Sequence, residues 1–164
     1  MLRWAAALAL ASFVWWSARD SGAHAAFPVG GQMPEVAATL ADGSQFSLTT
    51  TSQVVVLNFW ASYCGPCRAE APLLSQTHAQ ATDVRVIGLS VEAFGSAQVA
   101  RQAHQLGMHY PVGVADEALL SRLRVQSVPT TYVISKTGKI VLSRVGVLSS
   151  RELEAALEAA RNAS

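Results

Sequence analysis

Cys64 and Cys67 are the only cysteines in the chain, and they stand in the run Trp60-Ala61-Ser62-Tyr63-Cys64-Gly65-Pro66-Cys67, directly after Val54-Val55-Val56-Leu57-Asn58-Phe59. A buried strand that delivers Cys64 to the end of a sheet, with a helix starting at once, sets its sulfur at a helix N-terminus. There the macrodipole and the unpaired N–H groups favour the thiolate, which is the reactive form. Cys67 lies about one turn further on, placed to attack a mixed disulfide formed at Cys64. A structural bridge across two residues closes a very small loop and constrains the unfolded chain little, so a reactive pair is the better reading of this spacing. A metal site would need further ligands at suitable spacing, and His24, His78, His104 and His109 show no such pairing with the cysteines. The expectation is a redox-active dithiol and no metal.

The elements that must hold this pair can be read from the hydrophobic pattern. Val54 to Trp60 is nearly continuous in apolar residues and β-branched at its start, the signature of a central buried strand. Arg68 to about Gln80 is predicted to be helical and kinked by Pro72. Val84 to Val91 reads as a second buried strand. Ser96 offers an N-cap for a helix carrying Val99, Ala103 and Leu106 and ending at Gly107. Asp116 can cap a short helix through Leu123. Thr130 to Ser135 and Ile140 to Val145 form two strands joined by Lys136-Thr137-Gly138-Lys139. Ser149 and Glu152 stand at capping-box spacing ahead of a last helix with Leu153, Leu157 and Ala160 on one face. Between Phe27 and Thr51, apolar residues alternate around Asp42-Gly43, which predicts a β-hairpin. Strands alternating with helices imply an α/β fold with a mixed sheet covered on both faces.

Composition narrows the class. The 164 residues suit one domain with short extensions, and a net charge of +1 with 14% charged residues leaves no basic field for nucleic acid. The hydrophobic excess is concentrated before Ser17. Met1-Leu2-Arg3 precedes an uncharged stretch from Trp4 to Ala18, followed by Arg19-Asp20 and the small residues Ala23 to Ala26. This is the tripartite form of an export signal, with cleavage expected after Ala25. As a helix the stretch rises roughly 22 Å against a hydrocarbon core of about 30 Å, short for a span, yet Trp15-Trp16 and the flanking arginines suit an interfacial anchor. Both readings, signal or anchor, stay open. Residues 1–25 are assigned to this segment and 26–164 to the folded domain, and either reading sets the domain outside the cytoplasm, with membrane association through residues 1–18 under the second.

Three local motifs, taken with the order of elements, resemble the thioredoxin superfamily. They are Phe59-Trp60-Ala61 before Cys64-Gly65-Pro66-Cys67, Pro72 five residues after the second cysteine, and Val128-Pro129-Thr130 before a strand; Gly146 after the last strand also matches. The resemblance covers roughly Val54 to the end. Within the superfamily the chain is most similar to the extracytoplasmic reductases of the TlpA, ResA and CcmG (DsbE) type. The export segment and hairpin region, the insertion with Val91-Glu92-Ala93 and the Ser96–Gly107 helix, and Asn58 in place of thioredoxin's buried aspartate all point there. The implied architecture is a three-layer α/β/α fold with a central mixed sheet, an N-terminal β-hairpin extension and an inserted helix.

The resemblance also implies roles. Cys64 is the nucleophile and Cys67 the resolving thiol. Asn58 cannot titrate, and Glu92 matches a glutamate lying near the active site in the similar reductases, so Glu92 is the expected proton shuttle. The Val128–Pro129 bond is expected to be cis and to face Cys64. Substrate is expected to meet Trp60, Tyr63, Gly65, Pro66, Val128 and Pro129, with the Val128 backbone receiving an extended segment as in strand addition. The implied partners are disulfide-containing client proteins, apocytochrome c among them, and a membrane electron donor of the DsbD or CcdA type. No cofactor beyond the Cys64–Cys67 disulfide is implied. A Gly-Pro pair between the cysteines resembles thioredoxin and favours a reductant. Two rival readings are a thiol peroxidase of the peroxiredoxin type, which shares the fold, and a copper chaperone of the Sco kind, which separates its cysteines by three residues.

Overall fold

A computed structural model describes residues 27–50 and 52–163. The expected signal or anchor segment, residues 1–25, lies outside the described residues. Among the described residues no helix is long and apolar enough to cross a membrane.

Among the described residues, seven strands and four α-helices follow one another as β1 (Ala37–Thr39), β2 (Gln45–Ser47), β3 (Val54–Trp60), α1 (Gly65–Gln80), β4 (Val84–Ser90), α2 (Ser96–Gln105), β5 (Val112–Val114), α3 (Glu117–Arg122), β6 (Thr130–Ile134), β7 (Ile140–Val145) and α4 (Ser150–Asn162). The main sheet has the order β5-β4-β3-β6-β7, with β3 parallel to β4, β4 parallel to β5, and the two remaining pairings antiparallel. This is the mixed α/β sheet that the hydrophobic pattern predicts. β3 is central and buried along its whole length.

The period of two in β3 and β4 divides the interior into two cores. Val54, Val56 and Trp60 of β3 and Val84 and Val86 of β4 face α1, α2 and α4, while Val55, Leu57, Phe59, Ile87 and Leu89 face α3 and the N-terminal hairpin. The hairpin β1–β2 forms as expected, in the register Ala38 to Phe46. Gln32 bridges Lys139 beside β7 and Leu40 bridges Gly113 of β5, so the extension straps across one face from edge to edge. A side chain at Gly113 would stand 2.7 Å from the Thr39 carbonyl, so this approach needs glycine.

Three details differ from the sequence reading. Helix α1 begins at Gly65 and not at Arg68, with Pro66 in its first turn where a missing N–H costs nothing, and it contains Pro72 within its length. Helix α2 takes Gly95 as its N-cap without a side-chain bond, so Ser96 is its first helical residue and not its cap. β5 was not anticipated, because three residues with a central glycine carry no strand pattern and only the pairing with Gly88–Ser90 makes them one. The other caps form as read: Asp116 accepts the Leu119 N–H at 2.7 Å, and Ser149 and Glu152 complete a capping box.

Candidate active site

Strand β3 ends at Trp60, and Ala61-Ser62-Tyr63 turns the chain so that the Cys64 N–H donates to the Ala61 carbonyl at 3.1 Å. Cys64 is the N-cap of α1, and its sulfur accepts the Cys67 N–H at 3.1 Å. An N-cap normally carries an oxygen acceptor; here a sulfur receives the N–H group and lies at the positive end of a sixteen-residue helix. Cys64 and Cys67 are disulfide-bonded, with Cα atoms 5.2 Å apart. Both cysteines are buried, Cys64 at 5% and Cys67 at 1% of their accessible surface, with Cys64 standing in the chain between the exposed residues Tyr63 and Gly65.

Around the pair the surface is uneven. Tyr63 is 76% exposed, and Gly65 and Pro66 are exposed beside it. Tyr63, Val91, Val125, Gln126, Ser127 and Val128 line a groove of about 340 Å³. The Val128–Pro129 peptide is cis, with Val128 half-buried and Pro129 buried. Trp60, expected at the substrate surface, is fully buried and packs with both cysteines in the helix-side core, so it supports the pair from beneath and does not line the groove.

Two carboxylates flank the site and they differ. Glu92 follows the end of β4, and its carboxylate accepts both the Ser62 N–H and, at 3.0 Å, the Ser62 hydroxyl. It is half-buried, and its oxygens hold the turn that leads into Cys64.

Glu70, which the sequence reading passed over, is 1% exposed and sits one turn beyond Cys67 on α1. One of its oxygens accepts the Asn58 amide at 3.0 Å and the other accepts the Leu148 N–H at 2.9 Å, while Asn58 also donates to Thr131 Oγ1 at 2.9 Å. Burial pushes the Glu70 carboxyl up to about 7, although these hydrogen bonds and the charge of Arg144 pull the other way. A buried carboxyl that exchanges its proton near neutrality, within a turn of a resolving thiol, has the properties a proton acceptor needs. A signal for it was present in the sequence. Cys67, Glu70, Ala71 and Leu74 fall at i, i+3, i+4 and i+7, which sets Glu70 on the buried stripe of α1.

Residues 29–143 match the AhpC/TSA family. The chain belongs to that family. Within it, the chain is 28% identical over 133 residues to the thioredoxin-like protein YneN of Bacillus subtilis, covering 79% of this chain and 78% of that one. It is 27% identical over 134 residues to the thiol-disulfide oxidoreductase ResA of Bacillus anthracis, covering 79% and 77%. A solved structure from Chlorobium tepidum, of a protein assigned as the thiol:disulfide interchange protein DsbE, superposes with a TM-score of 0.71 at 28% identity, covering 82% of this chain and 98% of that one. StoA from Bacillus subtilis superposes at 0.63 with 18% identity over 75% and 96%, a likeness of fold alone. The fold is thioredoxin-like, and this AhpC/TSA member is a thiol-disulfide oxidoreductase of the ResA/DsbE type.

Proposed function

We propose that this oxidoreductase works outside the cytoplasm as a reductant of client disulfides, with residues 1–25 exporting or anchoring a single domain over 26–164. The observation that carries the mechanism is the arrangement of Cys64, Cys67 and Glu70: a sulfur at a helix N-terminus, a second thiol beneath it, and a buried carboxyl one turn beyond. The Cys64 thiolate attacks one sulfur of a client disulfide, forming a mixed disulfide and expelling the other client sulfur as a thiolate. Cys67 passes its proton to the Glu70 carboxylate and attacks Cys64 Sγ. The second client thiolate leaves, and the enzyme is left with the Cys64–Cys67 bond. Two electrons go to the client, and no group beyond the dithiol is required.

Glu70 is favoured over Glu92 as the proton acceptor because it is buried on α1 one turn beyond the resolving thiol with its carboxyl raised to about 7, whereas Glu92 is only half-buried and holds the turn ahead of Cys64. Tyr63, Gly65, Pro66 and Val128 supply the surface for an extended client segment, with Pro129 beneath it. Apocytochrome c, whose haem-attachment cysteines must be reduced before ligation, is the client we favour. A membrane protein of the DsbD or CcdA type would return the electrons.

Direction of electron flow decides between reductant and oxidant. Thioredoxin sits near about -270 mV and strong oxidants near about -120 mV, a separation of about 7 kcal/mol for a two-electron couple. Equilibration of the purified domain with glutathione is expected to give a potential on the thioredoxin side of this range. A value above about -150 mV would reverse the assignment. Consumption of peroxide at a rate exceeding disulfide exchange would support the peroxidase reading instead.

A further inference from the structure

Burying a polar group without a hydrogen-bond partner is unfavourable, and native interiors contain few of them. The Tyr110 hydroxyl and the Trp60 Nε1 are two such groups: each is buried, and neither has a partner among the described residues. Both belong to the core that contains Cys64 and Cys67. Phenylalanine would fill the place of Tyr110 without burying a hydroxyl, so the hydroxyl calls for an explanation.

Strand register fixes where this ring lies. Asn58 of β3 is opposite Gly88 of β4 on one side and Thr131 of β6 on the other. Residues paired in adjacent strands project to the same face, so anything at position 88 stands beside Asn58. A Cβ built on Gly88 would lie 2.9 Å from Tyr110 Cε2 and 3.2 Å from Trp60 Nε1. The Tyr110 ring therefore occupies the space over Gly88 that a side chain would take, on the same face of the sheet as the amide that holds Glu70 and at the neighbouring strand position. Thr131 fills the opposite flank and is already bonded to Asn58.

The charged and titratable groups that act on or respond to Glu70 are Arg144 on β7 and Tyr110 ahead of β5, with Cys67 one turn before it on the same buried stripe of α1; Asn58, Thr131 and the Leu148 N–H complete its surroundings. Burial first, and then the negative charge of Glu70, push the Tyr110 phenol upward, so this hydroxyl keeps its proton and stays a donor throughout the working range. A carboxyl that alternates between neutral and ionised gains most from a neighbouring donor in its ionised form.

We propose that Tyr110 is a positioning residue for thiol exchange: wedged over Gly88, its hydroxyl is the donor that the Asn58–Glu70–Thr131 network recruits when Glu70 takes its charge and becomes able to accept the proton of Cys67. This rests on Glu70 being the proton acceptor. It assigns Tyr110 an effect on when Cys67 can be deprotonated and none on Cys64.

The test is the rate at which Cys67 resolves a mixed disulfide between Cys64 and glutathione, prepared with glutathione disulfide and followed from pH 5 to 9. The wild-type profile should inflect at about 7. Tyr110→Phe keeps the ring in its slot and is expected to move the inflection up by about one pH unit. That makes resolution about tenfold slower below both inflections, with the profiles converging at high pH. Glu70→Gln should abolish the inflection, and adding Tyr110→Phe to it should change nothing further. An inflection lost in Glu70→Gln but unmoved in Tyr110→Phe would overturn the Tyr110 assignment, as would an equal effect of Tyr110→Phe in the Glu70→Gln background. An inflection that survives Glu70→Gln overturns instead the reading of Glu70, and the assignment of Tyr110 with it.

Discussion

Val55, Leu57 and Phe59 on one side of β3, and Asn58 and Trp60 on the other, serve interiors built on different rules. On the hairpin side, Met33, Val36, Leu40 and Phe46 close over the strand together with Leu119 and Leu123, and the one phenol there, Tyr132, donates to the Leu123 carbonyl at 3.3 Å. On the helix side the same strand carries an amide, faces a buried carboxyl and a threonine, and supports two sulfurs. Apolar area removed from water is worth about 25 cal/mol per Å², whereas a buried carboxyl must be compensated by hydrogen bonds or lose its charge. The hairpin extension thus adds apolar burial to a domain whose other face gives up some of its own to keep a titratable group beside the thiols.

Substitutions on the two faces should act differently. Leu57→Ala, on the hairpin side, is expected to cost about 2–5 kcal/mol in denaturant unfolding while leaving the pH dependence of mixed-disulfide resolution unmoved. Glu70→Gln, on the helix side, should act in the opposite sense at alkaline pH. The carboxyl is raised from 4.5 to about 7, so the folded state binds a proton that the unfolded state has released between those values. Folding is therefore unpenalised by this group below about pH 4.5, loses stability as pH rises, and carries the full penalty, about 3 kcal/mol, above about 7. Removing the charge should flatten the dependence across that window and raise stability at pH 8, while resolution slows on the order of 100-fold. A Glu70→Gln protein with the parent's stability-versus-pH curve would show that the two faces do not differ in this way.

Much of the comparison was legible in the sequence, and the exceptions have physical causes. The cysteine pair, the central strand, Asp116 and the Ser149–Glu152 box are local signals, complete within a few residues, and they appear as read. Glu70 is not local. Its spacing from Cys67, Ala71 and Leu74 sets it on the buried stripe of α1, but the partners that make a buried carboxyl tolerable, Asn58 and the Leu148 N–H 78 positions away, come from other elements. Asn58 was recognised as a departure, but a buried amide has to have partners, and pursuing that requirement across the fold would have led to Glu70 and Thr131. Trp60 is expected both in the buried strand and among the substrate-binding residues, and its place in β3 on the helix-side face leaves only the first. β5 needed its neighbour β4 to exist at all.

A finer test separates the two carboxylates. Glu92→Gln removes a charge from the acceptor of the Ser62 N–H and O–H, and the loss of two charge-assisted bonds at a half-buried site is expected to cost about 1–2 kcal/mol. Because the turn into Cys64 is loosened while Glu70 is untouched, exchange should slow severalfold at every pH and the inflection near 7 should remain. Disappearance of that inflection in Glu92→Gln would return the proton shuttle to Glu92 and remove the functional contrast between the faces.

The smallest effect tests whether the helix-side network extends to the caps that hold its elements. Ser149 caps α4, and the residue before it, Leu148, donates its N–H to Glu70. Ser149→Ala should cost about 1 kcal/mol by leaving the Glu152 N–H unpaired and loosening the first turn. A looser Leu148 N–H stabilises the Glu70 carboxylate less, so the resolution profile should also shift to higher pH, since this bond is one of those holding the carboxyl down. Asp116→Ala is the matched control. It removes the N-cap of α3, whose Leu119 packs in the hairpin-side core, and by the same rule costs about as much. Its resolution profile should coincide with the parent's. If both variants lose stability equally and neither profile moves, the Leu148 bond serves packing alone; if both move, proton exchange responds to stability in general and the two faces are not functionally distinct.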